Sequence, residues 1–417
     1  MNAADRFSAD DRLMPVGEAL SILAARVVPV AGVEEVPLRD ALGRILAADV
    51  VAGVSVPPHD NSAVDGVAVF FEDVAASGET RLPLVGRVAA VHPFTGTVSP
   101  GQALRIFTGA PMPAGPDTVV MQEDYRFADG HAVIRAGLRL RRGDNRRHAG
   151  EDVKAGDVVL RAGIRLRPQD MGLAAAVGRP TLTLRRPLRA AVFSTGDEVR
   201  DPGTDLPPGG IYDSNRYSIT GLLSGLGCRV TDLGILPDRF DAIRDALAEA
   251  ATDHDLIVTS GGVSIGEEDH VKAAVAAQGG LHFWRLAIKP GRPVALGEVR
   301  GVPFVGLPGN PVAVMVTFLL VARPLILRLA GVAATEPHRY PVPAAFDYRK
   351  KPGRREYLRG RLVAGEAGLA VDRFAADGSG ILSSMTTTDG LIDLPEDLAE
   401  VKPGETVDFL PFAEVMR

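Results

Sequence analysis

The chain has 417 residues, 46% of them hydrophobic, more than a single core usually sustains, so two to four domains are expected. Its 46 Lys and Arg are outnumbered by 52 Asp and Glu, and the formal charge of -6 gives no global electrostatic reason to bind nucleic acid. A single cysteine, Cys228, excludes an intrachain disulfide and every paired-cysteine zinc or redox arrangement.

The N-terminal stretch MNAADRFSADDRLMPVGEAL carries acids where a secretory signal would carry a basic start and an apolar run, so a cytoplasmic protein is expected. Residues 14–48 predict two amphipathic helices, MPVGEALSILAARV and LRDALGRILAADV, separated by the extended PVAGVEEVPL. From about Val51 to Asp152, short runs such as RLPLVGRVAAV, ALRIFTG and DTVVMQEDY alternate with turn residues and predict a mainly β segment. A short helix over 168–177 and the strand PTLTLRR follow. After Pro187, apolar strands (LRAAVFSTGDE, CRVTDLGIL, DLIVTSGG) alternate with amphipathic helices (NRYSITGLLSGLG, RFDAIRDALAEAATDH), the pattern of a parallel sheet covered on both faces. The apolar run 312–322 is about half the length of a membrane span and reads as a buried helix. From Pro341 onward, short strands with Gly and Pro turns predict a small barrel.

Ligands of open α/β sheets bind at the carboxyl ends of strands. Three strands here, at 190–193, 256–258 and 302–305, end in STGDE, TSGGVS and GLPGNP, and all three should open on one rim. Glycines such as Gly261 and Gly262 let backbone amides approach a phosphate, and Ser260 and Ser264 add hydroxyls. Walker, dinucleotide-binding, HExxH and GxSxG signatures do not occur. Acids crowd the same kind of turn: Asp60 and Asp65, Glu151 and Asp152, Asp197 and Glu198, Asp238, and Glu267 to Asp269. Singly, each reads as a solvated loop carboxylate; together, beside a phosphate, they make sense with Mg²⁺ between. In FWRLAIKPGRP the cations Arg285, Lys289 and Arg292 suit an oxyanionic ligand, with 285, 287 and 289 on one side of a strand. The basic runs RLRRGDNRRHAG and YRKKPGRREYLRGR lack interleaved stacking aromatics, so no nucleic-acid partner is expected; with no uninterrupted apolar window of about 18 residues, no membrane partner is expected either.

In order, PPHDNSAVDG, RIFTGAPMPAGPDTVVMQED, STGDE, DSN, SGGVSIGEED, AIKPGRP and GLPGNP resemble the molybdopterin molybdenumtransferase family, the MoeA-like proteins that include the gephyrin E domain. The resemblance runs from about residue 10 to the C-terminus. It implies an α/β multidomain fold. An extended linker-type domain comprises 1–50 and 153–187, a mainly β inserted domain 51–152, a parallel-sheet α/β molybdopterin-binding domain 188–335, and a C-terminal β-barrel 336–417. The activity implied is Mg²⁺-dependent: adenylylated molybdopterin and molybdate give molybdenum cofactor and AMP, in a homodimer whose active site is shared between subunits.

By the same resemblance, Asp60, Asp152, Glu198, Asp238, Asp269 and Lys289 match functional positions of the family; the expected mechanism makes Asp60, Asp152, Glu198, Asp269, Arg285 and Lys289 catalytic, with Mg²⁺ on Asp269 and on Asp238 or Glu198. Substrate-binding positions are Thr108, the Asp213-Ser214-Asn215 turn, Ser260, Gly261, Gly262, Ser264 and Gly266, the Pro308-Gly309-Asn310-Pro311 turn, and Arg359 and Ser379 near the C-terminus. Three positions depart from the family pattern: Val67 stands where Tyr is usual, and Arg285 and Arg292 where Lys is common. Two other readings remain at this point, a partner-binding scaffold and an adenylyltransferase or nucleotide hydrolase.

Overall fold

The computed structural model describes residues 13–90, 92, 94–262, 270–365 and 368–416. Its centre is a seven-stranded sheet in the order Leu13–Met14, Leu281–Leu286, Pro293–Val299, Val302–Leu307, Leu256–Ser260, Arg189–Thr195, Arg229–Leu236. Alternation along the strands divides its side chains between two cores. Ala190, Val192, Leu256 and Val258 face one core with Leu23, Ile219, Leu223 and Phe318; Ala191, Phe193 and Ile257 face another with Ile243, Leu247 and Val271. Helices thus cover both faces, as the apolar strands require.

Six of the strands run the same way, as the parallel sheet expected from the sequence requires, and Pro293–Val299, a segment the sequence left unplaced, is antiparallel to both neighbours. The cause is local. Arg300 and Gly301 both adopt positive φ (49° and 84°) and turn the chain straight back into Val302–Leu307, a hairpin too short for a parallel crossover.

The apolar run near residue 312 is the expected buried helix. Pro311–Leu329 has the length and hydropathy of a membrane span, yet 94% of its most apolar window is buried inside the protein. Pro324 cannot donate a backbone hydrogen bond, and the turn before it, Phe318–Ala322, is widened so that Arg323 donates to the Phe318 carbonyl five residues back.

The second predicted helix, over 38–48, does not form. Only the turn Leu38–Asp40 is helical; Gly43 takes φ +74°, and Ile45 and Leu46 bridge to Arg165 and Leu184 instead. Ala41 and Leu46 then bury against Leu166, Leu182 and Leu184, joining the stretches before and after the inserted segment in one core. That segment leaves and returns along adjacent strands, Val50–Val51 pairing with Val158–Leu160. Between them lies a six-stranded sheet whose second strand, Gly66–Val69, is wholly buried; Val67 belongs to its core.

At the C-terminus, Arg355–Gly365, Gly390–Leu394, Thr406–Pro411 and Tyr340–Pro343 pair in sequence around a core of Val342, Leu358, Ile392 and Phe409. Gly368–Arg373 pairs with Arg355–Gly365, and a bridge from Ala344 to Val371 closes the barrel. One extended segment joins this barrel to the central sheet: Leu281–Leu286 pairs with Pro293–Val299, whereas Ile288–Lys289, two residues on, runs parallel to Arg355–Gly365.

Candidate active site

Three strand ends, those of Arg189–Thr195, Leu256–Ser260 and Val302–Leu307, meet the segment 288–293 around a cavity of about 730 Å³. Glu198, Gly261, Gly262, Pro308, Gly309, Asn310, Lys289 and Ser379 line it, so the single rim expected from the turns is present.

Each turn has a local reason for its shape. Gly262 has φ +63°, and a Cβ there would lie 2.5 Å from Val271 Cγ2. The Gly261 amide donates to the Leu307 carbonyl (3.1 Å), fastening one rim turn to the next, and so is already used inside the protein. Gly196 has φ +135° with the Glu198 carboxylate folded over it; a Cβ would meet Oε2 at 2.8 Å. Pro311 occupies the first turn of its helix, where a missing N–H costs nothing. The Asn215 side-chain amide donates to Gly309 O (2.7 Å), and the Val312 amide to Ser379 O (2.9 Å), which docks the barrel loop on the helix start.

Behind this wall, Asp213 is buried and spent on Arg216, accepting from its backbone amide (3.1 Å) and from Nε (2.9 Å). Arg216 also pairs with Asp201 and Asp232, tying three segments together. Burial alone would pull its pKa down, but the carboxylates outweigh it and the net shift is upward. Ser214 accepts from the Ser218 amide and hydroxyl and serves as the start of the helix.

Among the cations, Lys289 lines the cavity, and its Nζ lies 3.2 Å from both the Tyr348 hydroxyl and Glu356 Oε2. Burial lowers its pKa and these two hydrogen bonds raise it, with a net upward shift. Arg285 does not line the cavity and shares no strand face with Lys289, because the strand breaks at Ala287 and changes sheets. Arg292 does line it. Arg359 stands behind the wall: nearly fully buried, it donates through Nε to Ser384 Oγ (3.0 Å) and through Nη2 to the Ala376 and Gly378 carbonyls, bracing the loop that presents Ser379. Asp238 accepts from Thr195 Oγ1 (3.3 Å) at the end of a rim strand, and Ser260 is buried in the last position of its own.

Three expected residues lie elsewhere in the chain. Asp60 accepts from the Ala149 amide (2.7 Å) and pairs with Arg146; the amide first, then the guanidinium, hold its carboxyl below the usual range. Thr108 donates from its amide and hydroxyl to Asp65 (2.8 Å each), and Asp152 is exposed, its amide bonded to Val56 O. None of the three lines the cavity of its own chain. Asp269, Ser264 and Gly266 fall outside the described residues.

Sequence reasoning missed Arg354 and Asp377 in the lining, and the Tyr348–Glu356 pair behind Lys289. Arg354 belongs to the basic run YRKKPGRREYLRGR, whose charge alone marks no cavity, and Asp377 opens the DGSG stretch two residues before Ser379.

Residues 14–178 match the MoeA N-terminal region (domain I and II), 191–328 the probable molybdopterin binding domain, and 341–412 the MoeA C-terminal region (domain IV). The molybdopterin molybdenumtransferase of Haemophilus influenzae is 38% identical over 385 residues, 92% of this chain and 95% of that one. The chain belongs to the MoeA family. It is an enzyme of molybdenum cofactor biosynthesis, a molybdopterin molybdenumtransferase like its curated relatives. Molybdopterin molybdenumtransferase 2 of Mycobacterium tuberculosis is 37% identical over 379 residues, covering 88% of this chain and 92% of the other. The crystal structure of the molybdopterin biosynthesis MoeA protein from Pyrococcus horikoshii OT3 superposes with a TM-score of 0.83 at 29% identity, covering 96% of this chain and 100% of its own.

Proposed function

We propose that the cavity binds adenylylated molybdopterin and molybdate and yields molybdenum cofactor and AMP, in a Mg²⁺-dependent reaction performed by a cytoplasmic homodimer. The observation that carries this reading is the convergence of three Gly- or Pro-bearing strand ends with Lys289, Arg292 and Arg354 around one cavity. Cavities of about 300–1,000 Å³ take ligands of this size. Cations beside backbone-rich turns suit a ligand carrying two phosphates.

Mg²⁺ fits the donors present. The Glu198 carboxylate lines the cavity and has no cation or hydrogen-bond partner among the described residues, whereas Asp238, which does not line it, follows the neighbouring strand Arg229–Leu236 and is held by Thr195. Among the described residues no group of three or more metal-ligating side chains gathers. Mg²⁺ does not need one, since one or two carboxylates with water and phosphate oxygens complete its shell. Glu198, Asp238 and Asp269 would hold it, and when bound it neutralises pyrophosphate charge. An oxygen of water or molybdate bonds to the adenylyl phosphorus as the bond to the bridging oxygen breaks; when the oxygen is molybdate's, its bond to molybdenum breaks too, and the dithiolene sulfurs of the pterin take the vacated place on molybdenum. AMP leaves with the incoming oxygen, and the pterin phosphate keeps the bridging one. Lys289 and Arg292 offset the charge that develops on that phosphate.

Dimerisation is supported by the position of Asp60, Thr108 and Asp152, which do not line the cavity of their own chain and on this reading serve the cavity of a second copy. The test incubates purified protein with adenylylated molybdopterin and molybdate, with and without Mg²⁺, and in parallel with ATP plus molybdopterin. AMP released only in the first mixture, and only with Mg²⁺, is the expected result; no release there, or adenylylation in the second, overturns the reading.

A further inference from the structure

Lysine is scarce in this chain, accounting for six of the 46 cations, and one of the six stands in the cavity wall. The two side chains that hold the Lys289 ammonium both come from the C-terminal barrel. Besides its own contacts at 3.2 Å with each, the Tyr348 hydroxyl lies 2.7 Å from the same Glu356 Oε2. Donor chemistry fixes the direction of every bond: an ammonium only donates and a carboxylate only accepts, so Tyr348 gives its proton to Glu356 and accepts from Lys289. Two of the three ammonium N–H groups are thereby committed, and among the described residues the third is left for the contents of the cavity.

Burial separates the anchors from the tool. Glu356 is 2% exposed and Tyr348 9%, whereas the Lys289 side chain keeps 38%. A carboxylate buried that deeply needs a cation beside it, and Lys289 supplies one. Backbone pairing brings them together, since Ile288–Lys289 runs parallel to Arg355–Gly365 with Lys289 opposite Glu356. On the Tyr348 ring itself sits the Arg373 guanidinium, 5.3 Å from the centroid, which limits the ring's freedom to turn away.

We propose that Tyr348 and Glu356 are positioning residues for the transfer reaction, holding the Lys289 ammonium so that its remaining N–H faces the phosphate or oxyanion group in the cavity. The inference rests on the reading that an adenylylated pterin and molybdate occupy that cavity. On this account the barrel supplies part of the reaction's geometry.

The experiment compares wild type with Glu356→Gln, Glu356→Asp, Tyr348→Phe and Lys289→Arg in protein labelled with ¹³C at lysine Cε. Six lysines give few signals, and the Lys289→Arg protein identifies the one of interest. Titrated without substrate from about pH 8 to about pH 12, the Lys289 signal in Glu356→Gln is expected to move at a pH about one unit or more lower than in wild type, with Glu356→Asp recovering most of the difference. In AMP release, kcat of Glu356→Gln and Tyr348→Phe should fall about 10- to 100-fold with a smaller change in KM, as misplacement of a working group predicts. An unchanged titration overturns the clamp whatever the substrate is, and wild-type kcat in Glu356→Gln overturns its part in the reaction. A wild-type protein that releases no AMP overturns the functional reading instead, with the titration still deciding the clamp.

Discussion

Asn215 and Gly309 come from turns 94 residues apart, yet the Asn215 side-chain amide donates to the Gly309 carbonyl at 2.7 Å. That bond fixes the cavity-lining Pro308–Asn310 turn against the helix that follows the first rim strand. Asn215→Asp keeps the size but removes the donor and sets a carboxylate against a carbonyl. It should cost about 1 kcal/mol in urea denaturation, the scale of a single hydrogen bond. KM for the pterin substrate should rise more than kcat falls.

Gly262 offers a steric test. With φ +63° and Val271 Cγ2 2.5 Å from where a Cβ would lie, Gly262→Ala should destabilise by about 1–3 kcal/mol and displace the rim turn. Val271→Ala removes the contact but also costs core packing, since Val271 is fully buried, so the test is a cycle: Gly262→Ala should cost less in the Val271→Ala background than in wild type, yet still cost something because the backbone strain stays. No cost of Gly262→Ala in that background would show that the contact was the whole effect.

The depressed pKa of Asp60 gives a pH signature. Its carboxyl, held below 3.8 first by the Ala149 amide and then by Arg146, contributes stability that is present above 3.8 and lost as pH falls through the lower folded value. The stability gap between wild type and Asp60→Asn should therefore be flat from about pH 7 to about pH 5 and close below about pH 4. A gap that widened on acidification would contradict the hydrogen-bonding scheme.

Subunit sharing can be tested by mixing. Asp60→Asn and Glu198→Gln homodimers should each be inactive, whereas co-refolded mixtures contain heterodimers with one intact site of two and should recover roughly a quarter of wild-type activity. No recovery, with mixed dimers present by mass spectrometry, would place both residues in the same subunit's site.

The rim was legible because strand ends written as STGDE, TSGG and GLPGNP combine apolar runs with residues that tolerate tight turns, a signal confined to a few neighbouring positions. Failures came where distant pairing decided the outcome. Apolar residues at 41, 45 and 46 satisfy helical spacing, but their bridges to Arg165 and Leu184 and the positive φ of Gly43 favour extended chain. Nothing in Arg300-Gly301 announces a hairpin as Asn-Gly would. Likewise, Glu356 lies 67 residues from Lys289, and only the parallel pairing of two strands in different domains reveals them as partners.

The segment that leaves the central sheet at Leu286 and re-pairs with the barrel at Ile288 has an engineering consequence. Cutting the chain before residue 340 would not leave a smaller catalyst: the edge on which Ile288 and Lys289 lie would vanish, and one flank of the binding chamber would be left without its template. Grafting a relative's barrel onto this core should succeed only when the donor's first long strand carries its register across the seam, because the two bodies are stitched through the very residues that meet the ligand.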